Sequence, residues 1–196
     1  VYVNATECSR VIYAGHYAGL CYTTDGKTHQ STGDIAMMRS VPGMHVVYPD
    51  DPAQLRAVVE WYLSTGGNRP LYVRLHRTPA SVLCDDCPTT IETYRHGWGT
   101  KVYASHGAVA AVLTSGPHMR AFCTEAAYKL GEHSRDVDVW AVPTLSWLDP
   151  SFVSQLAADY REVFIVEELC PSGGLLDLFA GSLAALPETD RPAPRI

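Results

Sequence analysis

The stretch VIYAGHYAGLCYTTDGKTHQSTGDIAMMRSVP, residues 11–42, holds a polar loop between two segments that have a clear structural preference. Residues 11–14 are apolar and typical of a buried strand, and Asp34-Ile35-Ala36 begins a short predicted helix. The loop between them centres on Asp25-Gly26-Lys27-Thr28-His29-Gln30, which is rich in polar and turn-forming residues. Polar loops that follow strand ends are where α/β folds place their chemistry. The stretch therefore predicts an α/β fold with a candidate site in this loop, and a plain surface turn is the alternative.

The chain on the C-terminal side of this loop continues as strand, helix and strand. Apolar runs predict strands at residues 44–48 and 71–75. The helix between them begins at Asp51-Pro52, an N-cap followed by proline at the first helical position, and it ends at Gly66-Gly67. Its apolar residues recur at helical spacing: Leu55, Val58, Val59, Tyr62 and Leu63. A strand, helix and strand in this order are typical of a parallel sheet.

A second α/β set is predicted beyond residue 99. The expected elements are strands at 108–114, 137–142 and 162–167, and helices at about 117–131, from Asp149 and after Gly173-Gly174. One apolar face is predicted for the first of these helices: Met119, Phe122, Cys123, Ala126, Ala127 and Leu130. The pattern breaks down between residues 77 and 99, where proline and glycine indicate a domain boundary. We therefore expect an α/β fold of two consecutive parallel-sheet domains with helices on both faces, at residues 1–82 and 100–196, joined by a linker at 83–99.

The composition excludes several classes of protein. Hydrophobic residues make up 46% of the chain and charged residues 18%, which is typical of a folded protein with a buried core and not of a disordered one. The net charge of −6 argues against a nucleic-acid binder, because such proteins carry a basic excess. No apolar run approaches the roughly 20 residues that span a bilayer, and no signal peptide is visible at the start. We therefore expect a cytoplasmic protein that binds neither membrane nor nucleic acid.

The six cysteines do not predict a disulfide framework, because they are scattered through a chain that is not small. Cys84-Asp85-Asp86-Cys87 is the one CxxC pair, and a single pair is half a zinc site. The two carboxylates between the thiols also disfavour a thiolate, which argues against a redox role. We therefore expect no metal site in this chain.

Motifs on both sides of the polar loop resemble those of a known protein family. GHYAG at residues 15–19 ends the preceding strand, and MRSVPGM at 38–44 leads into the next one. This order resembles the pyrimidine-binding domain of the transketolase family of thiamine-diphosphate enzymes, and the resemblance continues through YPDD at 48–51 and LYVRLHR at 71–77. The second half is similar to the C-terminal domain of that family, in LTSG at 113–116, AAYKL at 126–130 and VEELCPSGGL at 166–175. The resemblance implies that residues 1–82 are the C-terminal part of the pyrimidine-binding domain.

The resemblance implies roles for four polar residues. In the family, the residues at the motif positions of Asp25 and His29 contact sugar hydroxyls beside the cofactor, and an imidazole can pass a proton at neutral pH. His16 and Arg77 resemble the sugar-phosphate contacts of the family, and each follows the end of a strand. Arg77 is preferred over Arg74 because alternate side chains of a strand point to opposite faces, which leaves Arg74 as a possible rim residue. A solvent-exposed loop, a surface arginine and a hydrogen-bonded histidine are the plain alternatives.

The resemblance also implies thiamine diphosphate as the cofactor, with Mg²⁺ bound mainly by another chain. The diphosphate-binding domain of the family carries a Gly-Asp-Gly motif that holds Mg²⁺, whereas Gly33-Asp34 is followed here by Ile35. The first half of the pyrimidine-binding domain, which supplies the glutamate that activates the cofactor, has no counterpart in this sequence either. No residue of this chain is assigned to the cofactor. We therefore expect a complementary chain that carries the diphosphate-binding domain.

From the resemblance we expect the C-terminal subunit or fragment of a transketolase-like enzyme, which moves a two-carbon ketol unit between sugars or sugar phosphates. It would act in a hetero-oligomer such as a heterotetramer and would be inactive alone. The enzymatic alternatives are a 1-deoxyxylulose-5-phosphate synthase and the β subunit of a 2-oxoacid dehydrogenase E1 component. A non-catalytic assembly protein of the same fold is an alternative of another class. The four polar residues at positions 16, 25, 29 and 77 argue against it, because a scaffold does not require them.

Overall fold

The computed structural model describes residues 1–20, 26–77, 91–168, 170, 172–187 and 194. The first part of the chain contains helix α1 (Tyr2–Thr6), strand β1 (Ile12–Ala18), a 3₁₀ turn (Gly26–His29), helix α2 (Asp34–Arg39), strand β2 (His45–Val47), helix α3 (Pro52–Ser64) and strand β3 (Leu71–His76). The second part contains β4 (Thr100–Tyr103), β5 (Ala110–Thr114), α4 (Pro117–Gly131), β6 (Val137–Ala141), α5 (Pro150–Asp159), β7 (Glu162–Val166) and α6 (Leu175–Ala184). Asp25 lies outside the described residues, as do Cys84 and Cys87. Within the described residues, no helix has the length and apolarity needed to cross a membrane.

The first three strands form a parallel sheet in the order β1-β3-β2. β3 lies in the centre, because Leu71 pairs with Ile12 of β1 on one side and with His45 of β2 on the other. Its first four residues are buried, as expected for a central parallel strand that is covered on both faces. The N-cap of α3 is also as predicted, since the Asp51 side chain accepts a hydrogen bond from the backbone nitrogen of Gln54 at 2.8 Å. The predicted βαβ unit is therefore confirmed.

The remaining strands form a four-stranded sheet in the order β4-β6-β5-β7. β5 pairs in parallel with β6 and with β7, so this part of the sheet agrees with the predicted parallel arrangement. β4 pairs antiparallel with β6 and was not among the predicted strands. Its four residues, TKVY, are too few to carry a periodicity that distinguishes a strand from a loop. The fold class is therefore confirmed as mixed α/β with mainly parallel sheets, and one antiparallel edge strand is added.

Helix α4 has the predicted bounds, but its buried face differs from the predicted one. Phe122 is 55% exposed and Ala126 is also exposed, whereas Arg120 is only 4% exposed. The Arg120 guanidinium reaches Asp51 at the start of α3, with Nη1 3.4 Å from Oδ2. The predicted face is therefore wrong in part, because the ion pair with Asp51, the N-cap of α3, holds the charged side chain of Arg120 inward. Leu63 of α3 was also predicted to face the core, and it is 60% exposed.

Among the described residues, the largest cluster of buried hydrophobic side chains lies between the two sheets. The backbone nitrogen of Tyr48 donates to the oxygen of Pro143 at 2.8 Å, and the nitrogen of Leu145 donates to the oxygen of Val46 at 2.8 Å. Buried residues from both halves of the chain form this core, among them Ile35, Val46, Tyr48, Leu113, Val142, Phe152 and Phe179. The end of β2 is therefore fixed against the second sheet, and the carboxyl ends of the first sheet lie beside residues of α4 and of the segment after β7.

Candidate functional site

Two of the predicted site residues lie at the carboxyl ends of paired strands. His16 is near the end of β1, and Arg77 directly follows β3, which pairs with β1 in parallel. Both lie beside Tyr17: the guanidinium carbon of Arg77 is 4.8 Å from the centre of the tyrosine ring, and the centre of the His16 ring is 6.2 Å from it. All three residues are exposed. The structure therefore brings His16 and Arg77 to the same tyrosine on an accessible edge of the sheet.

The backbone of β1 is irregular at this point. Its pairing with β3 is regular up to Gly15, shifts, and resumes at Ala18. Tyr17 lies in the shifted segment with a φ of 60°, a left-handed conformation that bulky residues rarely adopt. Such a conformation costs on the order of 1–3 kcal/mol and persists only where its surroundings hold it. His16 and Tyr17 therefore leave the regular alternation of the strand, as residues in a bulge do.

The predicted catalytic loop returns to the same strand end. The backbone nitrogen of Gly19 donates to the oxygen of Ser31 at 2.8 Å, and Ala18 forms an isolated parallel bridge with Ser31. His29, two residues before this anchor, ends the 3₁₀ turn and is exposed, with its Nδ1 2.9 Å from Oγ1 of Thr28. Asp25, the other predicted catalytic residue, falls outside the described residues. The anchor at Ser31 keeps the C-terminal end of the loop at the end of β1, where His16 lies.

Arg74 is the centre of a buried ion-pair network and not a residue at the rim of the site. Its side chain is 0% exposed, with Nε 3.1 Å from Oδ2 of Asp34 and Nη1 3.1 Å from Oε1 of Glu168. Nη2 donates to the backbone oxygen of Ser31 at 3.0 Å, and the guanidinium carbon lies 4.4 Å from the centre of the Tyr48 ring. The rim assignment is therefore wrong. The two carboxylates that surround this arginine come from segments 40 and 94 residues away, which strand alternation does not reveal.

Glu168 connects the second sheet to this network. Its Oε1 also accepts a hydrogen bond from the Tyr48 hydroxyl at 2.9 Å, and its Oε2 accepts one from the backbone nitrogen of Leu20 at 3.3 Å. Burial alone would raise the pKa of Glu168, but the charge of Arg74 and these hydrogen bonds outweigh it and lower the pKa. Glu168 is therefore ionised at neutral pH. No role was predicted for Glu168, whose only signal in the sequence is an acid directly after the strand predicted at residues 162–167.

A cavity of about 250 Å³ opens beside the same strand ends. Its lining includes His16, Pro49, Asp50, Arg74, His76 and Pro117. Asp50 is 0% exposed, and burial raises its pKa to about 7, with the charge of Arg120 opposing the rise and that of Asp51 adding to it. A carboxyl group with such a pKa can hold or release a proton at neutral pH. In the sequence, Asp50 is only part of the YPDD motif, and its buried environment becomes visible only in the folded chain.

Two family models match the chain. The model described as transketolase, pyrimidine binding domain, matches residues 3–81, and the model described as transketolase, C-terminal domain, matches residues 99–196. The chain belongs to the transketolase family. The predicted resemblance is therefore confirmed, and the family as a whole depends on thiamine diphosphate.

Similar proteins are longer than this chain. The 6-deoxy-6-sulfo-D-fructose transketolase subunit SqwH of Clostridium sp. (strain MSTE9) is 33% identical over 171 residues, which cover 87% of this chain and 49% of that protein. The 1-deoxy-D-xylulose-5-phosphate synthase of Treponema pallidum (strain Nichols) is 28% identical over 184 residues, covering 94% and 28%. A solved structure described as split gene transketolase, inactive beta4 tetramer, superposes with a TM-score of 0.73 at 28% identity, covering 90% of this chain and 54% of that one. The transketolase-family chain thus spans about half of the transketolase subunits and less of the synthase.

In this transketolase-family chain, Asp34 and the exposed residues at the strand ends do not fit the Mg²⁺-diphosphate group of the cofactor. Asp34 is the residue of the sequence nearest to a Gly-Asp-Gly motif, and it is only 6% exposed. Its Oδ2 accepts hydrogen bonds from the Tyr72 hydroxyl at 2.8 Å and from Arg74 at 3.1 Å. This carboxylate therefore binds side chains inside the fold. The exposed residues at the strand ends, His16, His29 and Arg77, are nitrogen donors, whereas Mg²⁺ takes oxygen ligands. These residues are suited to contact an anionic or hydroxylated molecule instead.

Proposed function

We propose that this chain is the C-terminal subunit, or the C-terminal part, of a transketolase-like enzyme that transfers a two-carbon ketol unit between sugars or sugar phosphates. The observation that carries the proposal is a pair of relatives: a protein named as a transketolase subunit and a split-gene transketolase chain both match most of this chain. A transferase of the transketolase family is supported by these matches. The donor, the acceptor and the mode of assembly belong to the proposal.

In this proposal the exposed edge at the ends of β1 and β3 binds the sugar. Arg77 and His16 contact the phosphate end, because a guanidinium bonds phosphate bidentately and a neighbouring imidazole adds a further donor. His29 donates to an oxygen at the reacting carbons or moves a proton there, and Asp25 accepts hydrogen bonds from sugar hydroxyls. Tyr17 supports the assignment of the phosphate end, since its ring lies beside both His16 and Arg77.

The proposed assembly contains a second chain with the diphosphate-binding domain and the glutamate that activates thiamine diphosphate. Residues 1–82 are proposed as the C-terminal part of the pyrimidine-binding domain, residues 83–99 as a linker and residues 100–196 as the C-terminal domain. The poor fit of Asp34 to Mg²⁺ supports a partner that binds the metal, because Asp34 is occupied by Tyr72 and Arg74. A heterotetramer of two chains of each kind is the assembly we propose.

A second candidate is the reaction of 1-deoxy-D-xylulose-5-phosphate synthase. The match to the Treponema pallidum enzyme covers 94% of this chain, which is more of the chain than the match to the transketolase subunit covers. The donor distinguishes the two candidates, since one reaction takes a two-carbon ketol unit from a ketose, whereas the other takes a two-carbon unit from a 2-keto acid, which loses carbon dioxide, and passes it to a triose phosphate. Assays with both donor classes therefore decide between them.

The test is reconstitution with a chain that carries a Gly-Asp-Gly motif. We expect the isolated 196-residue chain to fold, to show no ketol transfer, and to bind thiamine diphosphate with Mg²⁺ poorly in calorimetry. We expect the mixture of the two chains to form a hetero-oligomer and to turn over. Micromolar cofactor binding or turnover by the isolated chain would contradict the split-site proposal. A hetero-oligomer that stays inactive with every sugar and keto acid would favour the non-catalytic assembly protein instead.

A further inference from the structure

Two histidines and a glutamate converge where the two sheets meet. His76 is the last residue of β3, His118 is the second residue of α4, and Glu168 lies two residues after β7. One ligand atom from each of the three side chains lies within 4.8 Å of the other two. Nδ1 of His118 is 3.6 Å from Oε2 of Glu168, and the ring centres of His76 and His118 are 5.6 Å apart. The proposed function assigns no role to this group.

The two oxygens of Glu168 have different surroundings. Oε1 accepts hydrogen bonds from the Tyr48 hydroxyl at 2.9 Å and from Nη1 of Arg74 at 3.1 Å. Oε2 accepts one longer bond, from the backbone nitrogen of Leu20 at 3.3 Å, and it is the oxygen that lies near His118. The carboxylate is therefore held in place through Oε1, and Oε2 faces His118. Metal-binding carboxylates are commonly fixed by outer hydrogen bonds in this way.

The charge around the group also favours a cation. Asp34 and Glu168 each carry one negative charge, and Arg74 between them carries one positive charge, so these three side chains sum to one negative charge. Their exposure is between 0% and 8%. A buried net charge of this kind is costly unless a further positive charge compensates it. A divalent ion bound to the ring nitrogens of His76 and His118 supplies such a charge.

We propose that His76, His118 and Glu168 bind a divalent transition-metal ion, Zn²⁺ in the first place, with a fourth position left for water. Two imidazole nitrogens and one carboxylate oxygen are ligands that Zn²⁺ prefers, at about 2.0–2.2 Å. A tetrahedral site with such bonds separates its ligand atoms by about 3.4 Å. Closing the present separations of up to 4.8 Å requires rotation of His76 and His118, both of which are only partly buried. The ion is not the Mg²⁺ of the cofactor, because Mg²⁺ prefers octahedral oxygen ligands.

The ion would join three segments of the chain, one from the first sheet and two from the second part of the chain. β3 belongs to the first sheet, and α4 and the segment after β7 belong to the second part of the chain. An ion that binds the folded chain and not the unfolded one raises the unfolding temperature in proportion to the logarithm of its concentration above Kd. The site therefore acts as a structural link between the sheets, independently of whether the proposed reaction takes place. This departs from the sequence-based expectation of no metal site.

The experiment uses the 196-residue chain, freed of metal by a chelator and then titrated with ZnCl₂ by calorimetry. We expect one equivalent of Zn²⁺ to bind and to raise the unfolding temperature by several degrees. His76→Ala and His118→Ala should each lower the affinity by about 100-fold or more, since even outer partners of a metal site change affinity by about 10–100-fold. In chelator, both variants should unfold cooperatively near the temperature of the metal-free wild type. His106→Ala, at an exposed histidine after β4, should bind Zn²⁺ like the wild type.

A double variant, Cys84→Ser with Cys87→Ser, separates this site from the CxxC pair. We expect it to bind Zn²⁺ normally, and we expect the Co²⁺-loaded wild type to show tetrahedral visible absorption without a thiolate charge-transfer band. Zn²⁺ binding that disappears in the double serine variant, a thiolate band with Co²⁺, or unchanged binding in both histidine variants would overturn the proposal. Absence of Zn²⁺ binding by the wild type would overturn it as well. If one alanine variant fails to fold, the other still gives the test, because the two histidines lie on different elements.

Discussion

Arg74 and Glu168 form an ion pair that joins the two sheets. Nη1 of Arg74 lies 3.1 Å from Oε1 of Glu168, and their side chains are 0% and 2% exposed. The other side of the same guanidinium is bound to Asp34 at 3.1 Å. One cation is therefore shared by two buried carboxylates. When one member of such a buried group is removed, the charges that remain are uncompensated, which is strongly destabilising.

We expect Arg74→Met to lower the free energy of unfolding by about 3–5 kcal/mol, because Asp34 and Glu168 are then buried without a cation. Urea unfolding at neutral pH measures this loss. Lys129→Ala is the matched control, since the Lys129–Glu125 ion pair lies on the surface of α4 with side chains 66% and 59% exposed. The control should leave the urea midpoint unchanged. Equal effects of the two substitutions would show that the network around Arg74 contributes nothing specific.

The sequence predicts the elements of this network but not its connections. The N-cap Asp51 and the bounds of α4 are local features, set by residues next to each other in the chain, and both are predicted correctly. The burial of Arg74 depends on Glu168, 94 residues away, and the inward position of Arg120 depends on Asp51 in another element. Such pairings are decided by the packing of the two sheets. A period of two or of 3.6 residues contains no information about them.

Asp50 should make the stability of the chain depend on pH between about 4 and 7. The unfolded carboxyl group releases its proton near pH 4, whereas burial holds the folded pKa at about 7. The folded state therefore binds the proton more tightly, and this stabilising contribution is lost as the pH rises from 4 to 7. We expect Asp50→Asn to remove this part of the pH dependence and to raise the unfolding temperature at pH 8. Unfolding curves of wild type and variant that differ equally at pH 4.5 and pH 8 would contradict this assignment.

Asp138 should show the opposite dependence on pH. Burial alone would raise its pKa, but hydrogen bonds from Lys101, the Tyr160 hydroxyl and the backbone of Ser105 outweigh burial and lower the pKa. Its stabilising contribution is therefore present above the unfolded pKa of about 4 and is lost as the pH falls below it. We expect Asp138→Asn to destabilise the chain at pH 7 and to cost much less at pH 3. An equal loss of stability in Asp138→Asn at both pH values would mean that the charge of Asp138 does not stabilise the fold.

The sequence predicts only those residues of the candidate site that lie in motifs resembling those of the family. His16 and Arg77 lie at adjacent strand ends, as the parallel arrangement of β1 and β3 requires, and the sequence motifs identified both. Tyr17 was not identified, because its position beside them depends on a shift in the pairing of β1 with β3 and on a φ of 60°. The proton-holding capacity of Asp50 was missed for a different reason. It results from complete burial, which a residue in a polar motif does not signal.

His29→Ala in the assembled enzyme should lower kcat by about 10²–10⁴-fold, the usual contribution of a general acid or base. The affinity for thiamine diphosphate should change little, because His29 is proposed to act on the sugar. Steady-state kinetics and cofactor titration on the same preparation separate the two effects. His133→Ala, at an exposed histidine two residues after α4, serves as the control and should keep the wild-type kcat. A His29→Ala enzyme with kcat within a few-fold of wild type would remove this loop from the proposed chemistry.

The effect of substituting Arg77 on KM should depend on whether the substrate carries a phosphate. Its guanidinium lies 4.8 Å from the centre of the Tyr17 ring at the end of β3, exposed and near the strand end that carries His16. A charge-assisted hydrogen bond to a phosphate contributes about 1.5–3 kcal/mol, which corresponds to roughly a ten- to hundred-fold effect on affinity. We expect Arg77→Ala to raise KM for a phosphorylated substrate by that factor. KM for the unphosphorylated analogue should change little, because that substrate offers no anion to the arginine.

Kinetics with both substrates, together with Arg135→Ala as a control at an exposed arginine after α4, distinguish the roles open to Arg77. Equal losses on the two substrates would mean that Arg77 supports the structure around Tyr17 and does not bind phosphate. No loss on either substrate would mean that the natural substrate carries no phosphate at this edge of the sheet. A selective rise of KM for the phosphorylated sugar, with kcat retained, would establish that the ends of β1 and β3 bind the far end of the substrate, because only a remote binding group separates KM from kcat in this way.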